Sequence, residues 1–388
     1  MSDKIAIVSH SYPTASDPSY GIFIKREAAL IRNFAEPIIF VPQVLSTPLN
    51  RQYYRTKNLV DDGIKKEVFK YISFPSKYFP SLITRSLSRQ LLKKLKLHDP
   101  SLIHLHWLYP QGLTVSSLKR NDFKVVITIH GGDWYSNIDN EVLFPLIQKS
   151  LTKTDAIVCV GEKLKEHILQ EFPEFSKKTH HIPHSIDTTR FIPTHSRTEL
   201  RNALGWSVNK LHLLCVANFH IYKGVDLLVR SLPKVHNLEN VHLHLVAPRR
   251  EKEMGREIKS IINEKKLQNH ISLYGSLDEA ELIQFMQAAD LFVSPSLKEG
   301  FGIVCAEAIA CGVPVLSTTS GGPEEILSEE TGLLIPTGDV DALANGINTL
   351  LENRNQFHPD NLHESILRRY GKGTKTERLK KLYSSLIP

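Results

Sequence analysis

A chain of 388 residues that is 41% hydrophobic is too long for one ordinary core and suits two domains, each able to bury most of its apolar surface. Its net charge of +7 comes from 48 basic and 41 acidic residues intermixed along the chain. That argues against a dedicated nucleic-acid binder and leaves anionic small molecules or an anionic membrane surface as partners. The four cysteines, at 159, 215, 305 and 311, form no Cys-x-x-Cys pair and lie in apolar or small-residue runs, the pattern of buried free thiols in a reducing, cytoplasmic setting. No apolar stretch reaches the length of a signal h-region or a membrane span.

In chain order, "IAIVSH" (5–10), "PIIFVP" (37–42), "SLIHLHW" (101–107), "KVVITIHG" (124–131) and "DAIVCVG" (155–161) read as buried strands alternating with amphipathic helices such as "IKREAALIRNF" (24–34). The pattern restarts with "KLHLLCVANF" (210–219), "VHLHLVAP" (241–248), "HISLYG" (270–275), "DLFVSPS" (290–296), "VPVLST" (313–318) and "GLLIP" (332–336). Two parallel, doubly wound α/β sheets are therefore expected, joined by the Pro-containing segment at 183–198, with ligands outside the carboxyl ends of the strands in an interdomain cleft. The expected domains are 1–190 and 191–372, with a helix over 373–388 crossing back to the first.

The stretch "KEGFGIVCAEAIACGVPV" (298–315) combines a turn, a helix start and two acidic residues. Gly300 and Gly302 fall before the helix, Ala306, Ala308 and Ala310 give it a small face, and Gly312 and Pro314 end it. Free amides and the positive end of the helix dipole make its N-terminus an anion site, suited to phosphate. Glu299, before the helix, and Glu307, about one turn inside it, could accept hydrogen bonds from the hydroxyls of a sugar nucleotide. On this motif alone, a solvated Glu299 and a dipole-balancing Glu307 explain the pattern as well.

Glu299-Gly-Phe-Gly, with seven residues between Glu299 and Glu307-Ala308, then Gly312 and Pro314-Val315 together resemble the signature of the retaining glycosyltransferases of family four. "YKGVDLLVRSL" (222–232) resembles that family's Lys-Gly helix start, "SGGPEEI" (320–326) its Gly-Gly loop with Glu325, "TGLLIPTGDVDALANGI" (331–347) its closing segment and "HSIDTTRF" (184–191) its hinge. In the first half, "SYPTASDPSYGIFIKREAALI" (11–31) is similar to the loop carrying a glycine, here Gly21, near the donor phosphates. "HLHWLYPQG" and "ITIHGGD" resemble the subgroup bearing His130.

The resemblance implies a GT-B fold of two facing Rossmann-like domains, the first binding acceptor and the second a nucleotide sugar. It also implies metal-independent transfer of a hexose, with retention, from a UDP- or GDP-linked donor to a glycan or lipid-linked acceptor, with no cofactor. Carried over residue by residue, Lys223 acts as a point charge on the leaving diphosphate and Glu299 contacts donor-sugar hydroxyls. Phe301, Gly302, Ile303 and Val304 supply backbone amides, Glu307 binds the ribose, Gly21 admits the phosphates and His130 hydrogen-bonds the sugar. Each preorganised donor of this kind is worth about 3 to 4 kcal/mol in the transition state. With both glutamates holding the donor, front-face displacement replaces the paired-carboxylate route of retaining hydrolases.

Two positions depart from the family pattern. Asn218 stands where relatives carry an Arg, with Arg249 or Arg250 as a substitute or a solvated charge pair, and His184-Ser185 replaces the Asn-Gly of the hinge. His104 and His106 face the same way on a strand, but the sequence offers no third metal ligand, so no metal is expected. "SLITRSLSRQLLKKLKLHD" (81–99) carries a Leu stripe among Arg and Lys residues, either a Rossmann helix with a solvated basic face or a peripheral contact with an anionic inner leaflet. The alternatives to a transferase are a UDP-sugar 2-epimerase of the same fold and a non-catalytic sugar-nucleotide or carbohydrate binder, which Asn218 alone favours.

Overall fold

The computed structural model describes residues 3–14, 17, 20–45, 60–73, 79–248 and 252–387. Its contacts divide the chain into two units. Unit 1 comprises Met1–His184 together with Gly373–Pro388, and unit 2 comprises Ser185–Lys372. The first boundary thus falls after His184 rather than after residue 190, and the tail from 373 belongs with unit 1.

Unit 1 is built on β1 (Lys4–Val8), β2 (Glu36–Val44), β3 (Val60–Asp61), β4 (Ile64–Tyr71), β5 (Leu102–His106), β6 (Val125–Ile129), β7 (Ala156–Cys159) and β8 (Thr179–His181). They form one sheet in the order β3-β4-β2-β1-β5-β6-β7-β8, parallel throughout except for the antiparallel pair β3–β4. β1, β5, β6 and β7 are buried along nearly their whole length, as strands covered by helices on both faces must be. β4 and β8 were not expected from sequence. β4 reads "IKKEVFKY", with exposed lysines at 65 and 70 on opposite faces and buried Ile64, Phe69 and Tyr71 beside them, as fits a strand near the sheet edge that is only partly covered on either side. β8 has only three residues, too few for a periodic signal.

The helix Ile22–Ile31 follows β1 and packs Ile24, Ala28 and Ile31 into a core with Ile5, Ile7 and Ile39. The last helix, Lys372–Ser384, inserts Leu379, Leu382 and Tyr383 into that same core. The basic helix spans Pro80–His98 and buries Ile83, Leu87, Leu91 and Leu95, so the predicted Leu stripe does face the unit's interior. Leu82 and Leu97 instead remain 50% and 74% exposed.

Unit 2 is built on β9 (Leu211–Val216), β10 (Val241–Val246), β11 (Ile271–Tyr274), β12 (Leu291–Ser294), β13 (Val315–Thr318) and β14 (Gly332–Ile335). The sheet is fully parallel, in the order β11-β10-β9-β12-β13-β14. Chain order reverses between β9 and β12, and the ligand position of a doubly wound sheet lies outside the strand ends at such a reversal. In unit 1 the reversal lies between β1 and β5. At the start of unit 2, Ile186 N donates to Tyr370 O (2.8 Å) and Asp187 pairs with Lys372 (2.7 Å), tying the unit's first residues to its last.

Candidate active site

In unit 2 the residues beyond β12 meet the short turn Ile221–Lys223 that follows β9. Leu297 N donates to Tyr222 O (2.8 Å), and Glu299 N donates to Ser320 O (2.9 Å) in the loop after β13. Gly224 stands in the left-handed region at φ 59°, and a Cβ there would overlap the Pro295 carbonyl oxygen. Only glycine lets this turn seat against the strand end. Lys223 Nζ then lies 2.6 Å from Glu299 Oε2, with the two side chains 30% and 18% exposed. Burial pulls the Lys223 ammonium down, but the Glu299 carboxylate outweighs it and raises the pKa above the usual lysine value. The lysine is a fixed cation.

Next to this pair the helix Ile303–Ala310 begins at Gly302, whose φ of 91° again demands glycine. No side chain caps it, and Ile303 and Val304 are half-buried, so its first amides remain available to an anionic ligand. Phe301 is buried against Tyr370, with ring centroids 5.3 Å apart. Glu307 lies one turn into the helix and is 3% exposed. Asn218 is exposed, two residues beyond β9. Arg249 and Arg250 lie outside the described residues. The structure therefore brings Lys223, Glu299, Gly302, Ile303 and Val304 together at the strand ends.

Unit 1 holds a second cluster. Gly21 caps the helix Ile22–Ile31 at φ 66°, where a Cβ would overlap the Ser11 carbonyl. The chain's own fold thus requires a glycine there whether or not a phosphate approaches. His130 follows β6. Its backbone N donates to Asp133 Oδ1 (2.9 Å), whose other oxygen accepts from Leu108 N (2.8 Å). Burial pushes the Asp133 carboxyl up to about 6 despite these bonds. The His130 ring packs against Trp107, Phe23 and His184 at centroid distances of 4.4, 5.0 and 5.4 Å. Burial, aided by His106 and His184, holds its pKa well below the usual imidazole range, so the ring is neutral.

His130 Nε2 lies 3.1 Å from His106 Nδ1. His106 Nε2 lies 3.3 Å, and His104 Nδ1 3.5 Å, from Glu27 Oε1. Glu27 corrects the expectation that no third ligand accompanies the two histidines, since its oxygen and their nitrogens all fall within 4.8 Å of one another. The same carboxylate is engaged by Lys375, whose Nζ lies 2.6 Å from Glu27 Oε2, with both side chains at most 5% exposed. Burial would raise the Glu27 pKa, but Lys375, with His106 and His104, holds it well below the usual carboxylate range. An ammonium at that distance opposes a dication on the same carboxylate, so the trio fits an ion pair better than a metal centre. Glu27 and Lys375 were missed from sequence. Neither belongs to a motif, and Lys375 sits in "KGTKTERLKK", at the start of the expected last helix, where nothing in the local sequence distinguishes it from the other basic residues.

Residues 28–190 match the model of Glycosyltransferase Family 4, and residues 196–369 match that of Glycosyl transferases group 1. TuaC of Bacillus subtilis strain 168, a glycosyltransferase provisionally named for teichuronic acid biosynthesis, is 24% identical over 99% of this chain and 98% of its own length. A GDP-mannose-dependent phosphatidylinositol monomannoside mannosyltransferase of Corynebacterium glutamicum is 28% identical over 59% of this chain and 61% of its own. Among solved structures, the sucrose-phosphate synthase of Thermosynechococcus elongatus superimposes with a TM-score of 0.85 at 22% identity, covering 99% of each chain. Anabaena HepE, in complex with UDP and glucose, does so at 0.77 and 20% identity, over 99% of this chain and all of its own. The two doubly wound units are those of the GT-B fold, and a transferase assignment displaces the epimerase and the non-catalytic binder. With both halves matched by successive family models, the chain belongs to the family-four, group 1 glycosyltransferases.

Proposed function

We propose that the chain moves a hexose from a nucleotide-diphosphate sugar to a glycan or lipid-linked acceptor, with retention of anomeric configuration and without a divalent metal. The observation that carries this is the Lys223–Glu299 pair at 2.6 Å, set at the strand ends beside an uncapped helix N-terminus. A departing diphosphate develops negative charge, and Lys223 together with the Ile303 and Val304 amides would stabilise it where a metal otherwise acts. Glu299, beside Lys223, accepts hydrogen bonds from donor-sugar hydroxyls, Glu307 takes the ribose, and His130 hydrogen-bonds the sugar. In the reacting step the bond from the anomeric carbon to the phosphate oxygen breaks. The acceptor oxygen bonds to the same face, and the leaving phosphate oxygen takes the acceptor's proton. HepE binds UDP and the mannosyltransferase relative uses GDP-mannose, so either base is compatible with the family.

The acceptor side of the proposal is an anionic surface at the cytoplasmic face. No helix among the described residues is long and apolar enough to cross a membrane, and the four cysteines are free and buried. A groove of about 480 Å³ on unit 1 is lined by Arg85, Arg89, Arg120 and Lys149, with no acidic residue among its walls. On the same basic helix Leu82, next in sequence to the lining residue Ser81, is 50% exposed. In flotation with anionic liposomes the protein should rise with the vesicles, and protein left wholly in solution rules the membrane contact out.

A thermal-shift panel of UDP, GDP and ADP, followed by transfer assays with the corresponding sugar nucleotides, tests the donor. A diphosphate at a hundred times its Kd adds about 2.7 kcal/mol of stability to the state that binds it. One base should shift the melting temperature well beyond the others, and the product should keep the donor's anomeric configuration with EDTA present. No shift with any nucleotide, inversion, or loss of turnover on chelation would overturn the reading.

A further inference from the structure

The buried Lys375–Glu27 pair touches no proposed substrate, yet it is linked through His106 to His130. We propose that Lys375, Glu27 and His106 are positioning residues that fix His130 in the tautomer with hydrogen on Nε2, so that it meets a donor sugar with a bare Nδ1 and accepts a hydrogen bond from a sugar hydroxyl. The use of that nitrogen rests on the proposed sugar contact of His130. The tautomer itself does not.

The order follows from donors and acceptors alone. Lys375 Nζ, 2.6 Å from Glu27 Oε2, supplies the positive charge that balances the carboxylate and keeps it an acceptor only. Oε1 lies 3.3 Å from His106 Nε2 and 3.5 Å from His104 Nδ1. Two lone pairs facing each other at the first distance would repel, so His106 carries its hydrogen on Nε2 and leaves Nδ1 bare. His130 Nε2, 3.1 Å from that nitrogen, must then be the donor. His104 does not compete, because Tyr383 Oη and Thr128 Oγ1 hold its two nitrogens at 2.6 Å each. His130 Nδ1 is left buried and without a hydrogen-bond partner among the described residues; Glu27 Oε1 and His106 Nε2, which approach to 3.3 Å as an ion pair and not as an aligned hydrogen bond, have no other partner there either.

The consequence is a substrate preference. A bare nitrogen attracts a hydroxyl and repels a carboxylate, so the donor class is a sugar with a free hydroxyl at this contact and not an acid group. It also explains why a lysine from the far end of the chain is buried here. A neutral residue in place of Lys375 would leave Glu27 to take a proton, either on itself or by charging His106. In both cases His106 Nδ1 becomes the hydrogen-bearing atom, and His130 is reversed.

The test is long-range 15N–1H correlation of histidine side chains in the full-length protein, selectively labelled on histidine, without any nucleotide sugar. The His130 signals are assigned by their loss in His130→Gln. The expected result is a neutral His130 with Nε2 protonated and Nδ1 bare. In Lys375→Met, and in the isosteric Glu27→Gln, whose amide group would donate to His106 Nε2 while its oxygen faces Lys375, the proton should sit on Nδ1. Two variants are used because the first leaves a buried carboxylate without its partner and can fail to fold. A wild-type His130 protonated on Nδ1, or an unchanged His130 signature in the folded variants, overturns the proposal. So does stoichiometric zinc that is bound by the wild-type protein and lost in Glu27→Gln. Since no donor is present, failure here is distinguishable from failure of the transferase reading, which the nucleotide panel decides.

Discussion

Lys223→Met separates a brace from a catalytic cation. The lysine side chain is 30% exposed and its partner 18%, so the pair is neither a solvated surface bridge, worth under about 1 kcal/mol, nor a sealed one, whose breakage costs about 3 to 5 kcal/mol. An intermediate loss of about 1 to 3 kcal/mol follows, a few degrees in melting temperature for a unit of this size. A donor aimed at charge that develops only in the transition state is worth about 2.7 to 4 kcal/mol, or roughly 10² to 10³ in kcat. The variant should therefore remain folded by thermal melt while kcat and kcat/KM fall together by that factor. If the lysine also grips the diphosphate of the bound donor, KM rises in addition. A kcat within tenfold of wild type, together with a melting temperature lowered by more than about 10 °C, would show that Lys223 braces the turn and leaves the diphosphate to other groups.

Gly224→Ala should damage the same site without removing a functional group. Its Cβ overlaps the Pro295 carbonyl and its φ is 59°, so a stability loss of about 1 to 3 kcal/mol should accompany weaker nucleotide binding, and wild-type binding by isothermal titration would refute the packing argument. The two readings of the basic helix also separate. Leu91→Ala, at a fully buried position, should cost about 2 to 5 kcal/mol in urea unfolding, whereas Leu82→Glu at a half-exposed one should leave stability within about 0.5 kcal/mol and reduce liposome flotation. Acid should destabilise the protein already between about pH 6.5 and 5. Burial lowers His104 to about 3 and His244 to about 2, so the unfolded chain takes up their protons first, and stability present above about pH 6.5 is lost as pH falls. Each costs about 2 kcal/mol at pH 5. Asp133, raised to about 6, works in the opposite direction by about 1.4 kcal/mol over the same interval. The histidines win, and urea midpoints that stay flat from pH 7.5 to 5 would contradict their burial as neutral rings.

The fold was legible wherever burial on both faces leaves an uninterrupted apolar run, as in Ile5–Val8 and Val125–Ile129. It was not legible at β4, whose exposed lysines alternate with its buried positions. At the site, Lys223 and Glu299 could be read because a glycine that the backbone demands stands close by in sequence, Gly224 next to the lysine and Gly302 three residues after the glutamate, so local conformation and chemistry leave a joint signal. His104 and His106 could be placed on one side of a strand by the two-residue period, but their partner could not. Glu27 reaches them from the Ile22–Ile31 helix, where "KRE" between apolar positions looks like a solvated face, and Lys375 comes from the opposite end of the chain. Pairing between distant elements is a tertiary fact that no local periodicity encodes.

Each unit reverses its strand order once, at β1/β5 and at β9/β12, and each places a Lys–Glu pair by that reversal. Both pairs have a separation of 2.6 Å, and what distinguishes them is solvent. Lys375 and Glu27 are at most 5% exposed, so exchanging either partner for a ligand would strand a charge in a medium that cannot screen it, and the pair can only hold its neighbours in order. Lys223 and Glu299 keep 30% and 18% of their side-chain surface. Part of each side chain is thus open to solvent, so a diphosphate or a sugar hydroxyl could approach the pair without first unpacking the protein around it. The same ion pair is thus a fixed support when sealed and a receptive site when left ajar. On that basis the open pair of unit 2 suits the proposed donor contact, and the sealed pair of unit 1 suits the proposed role of orienting a histidine.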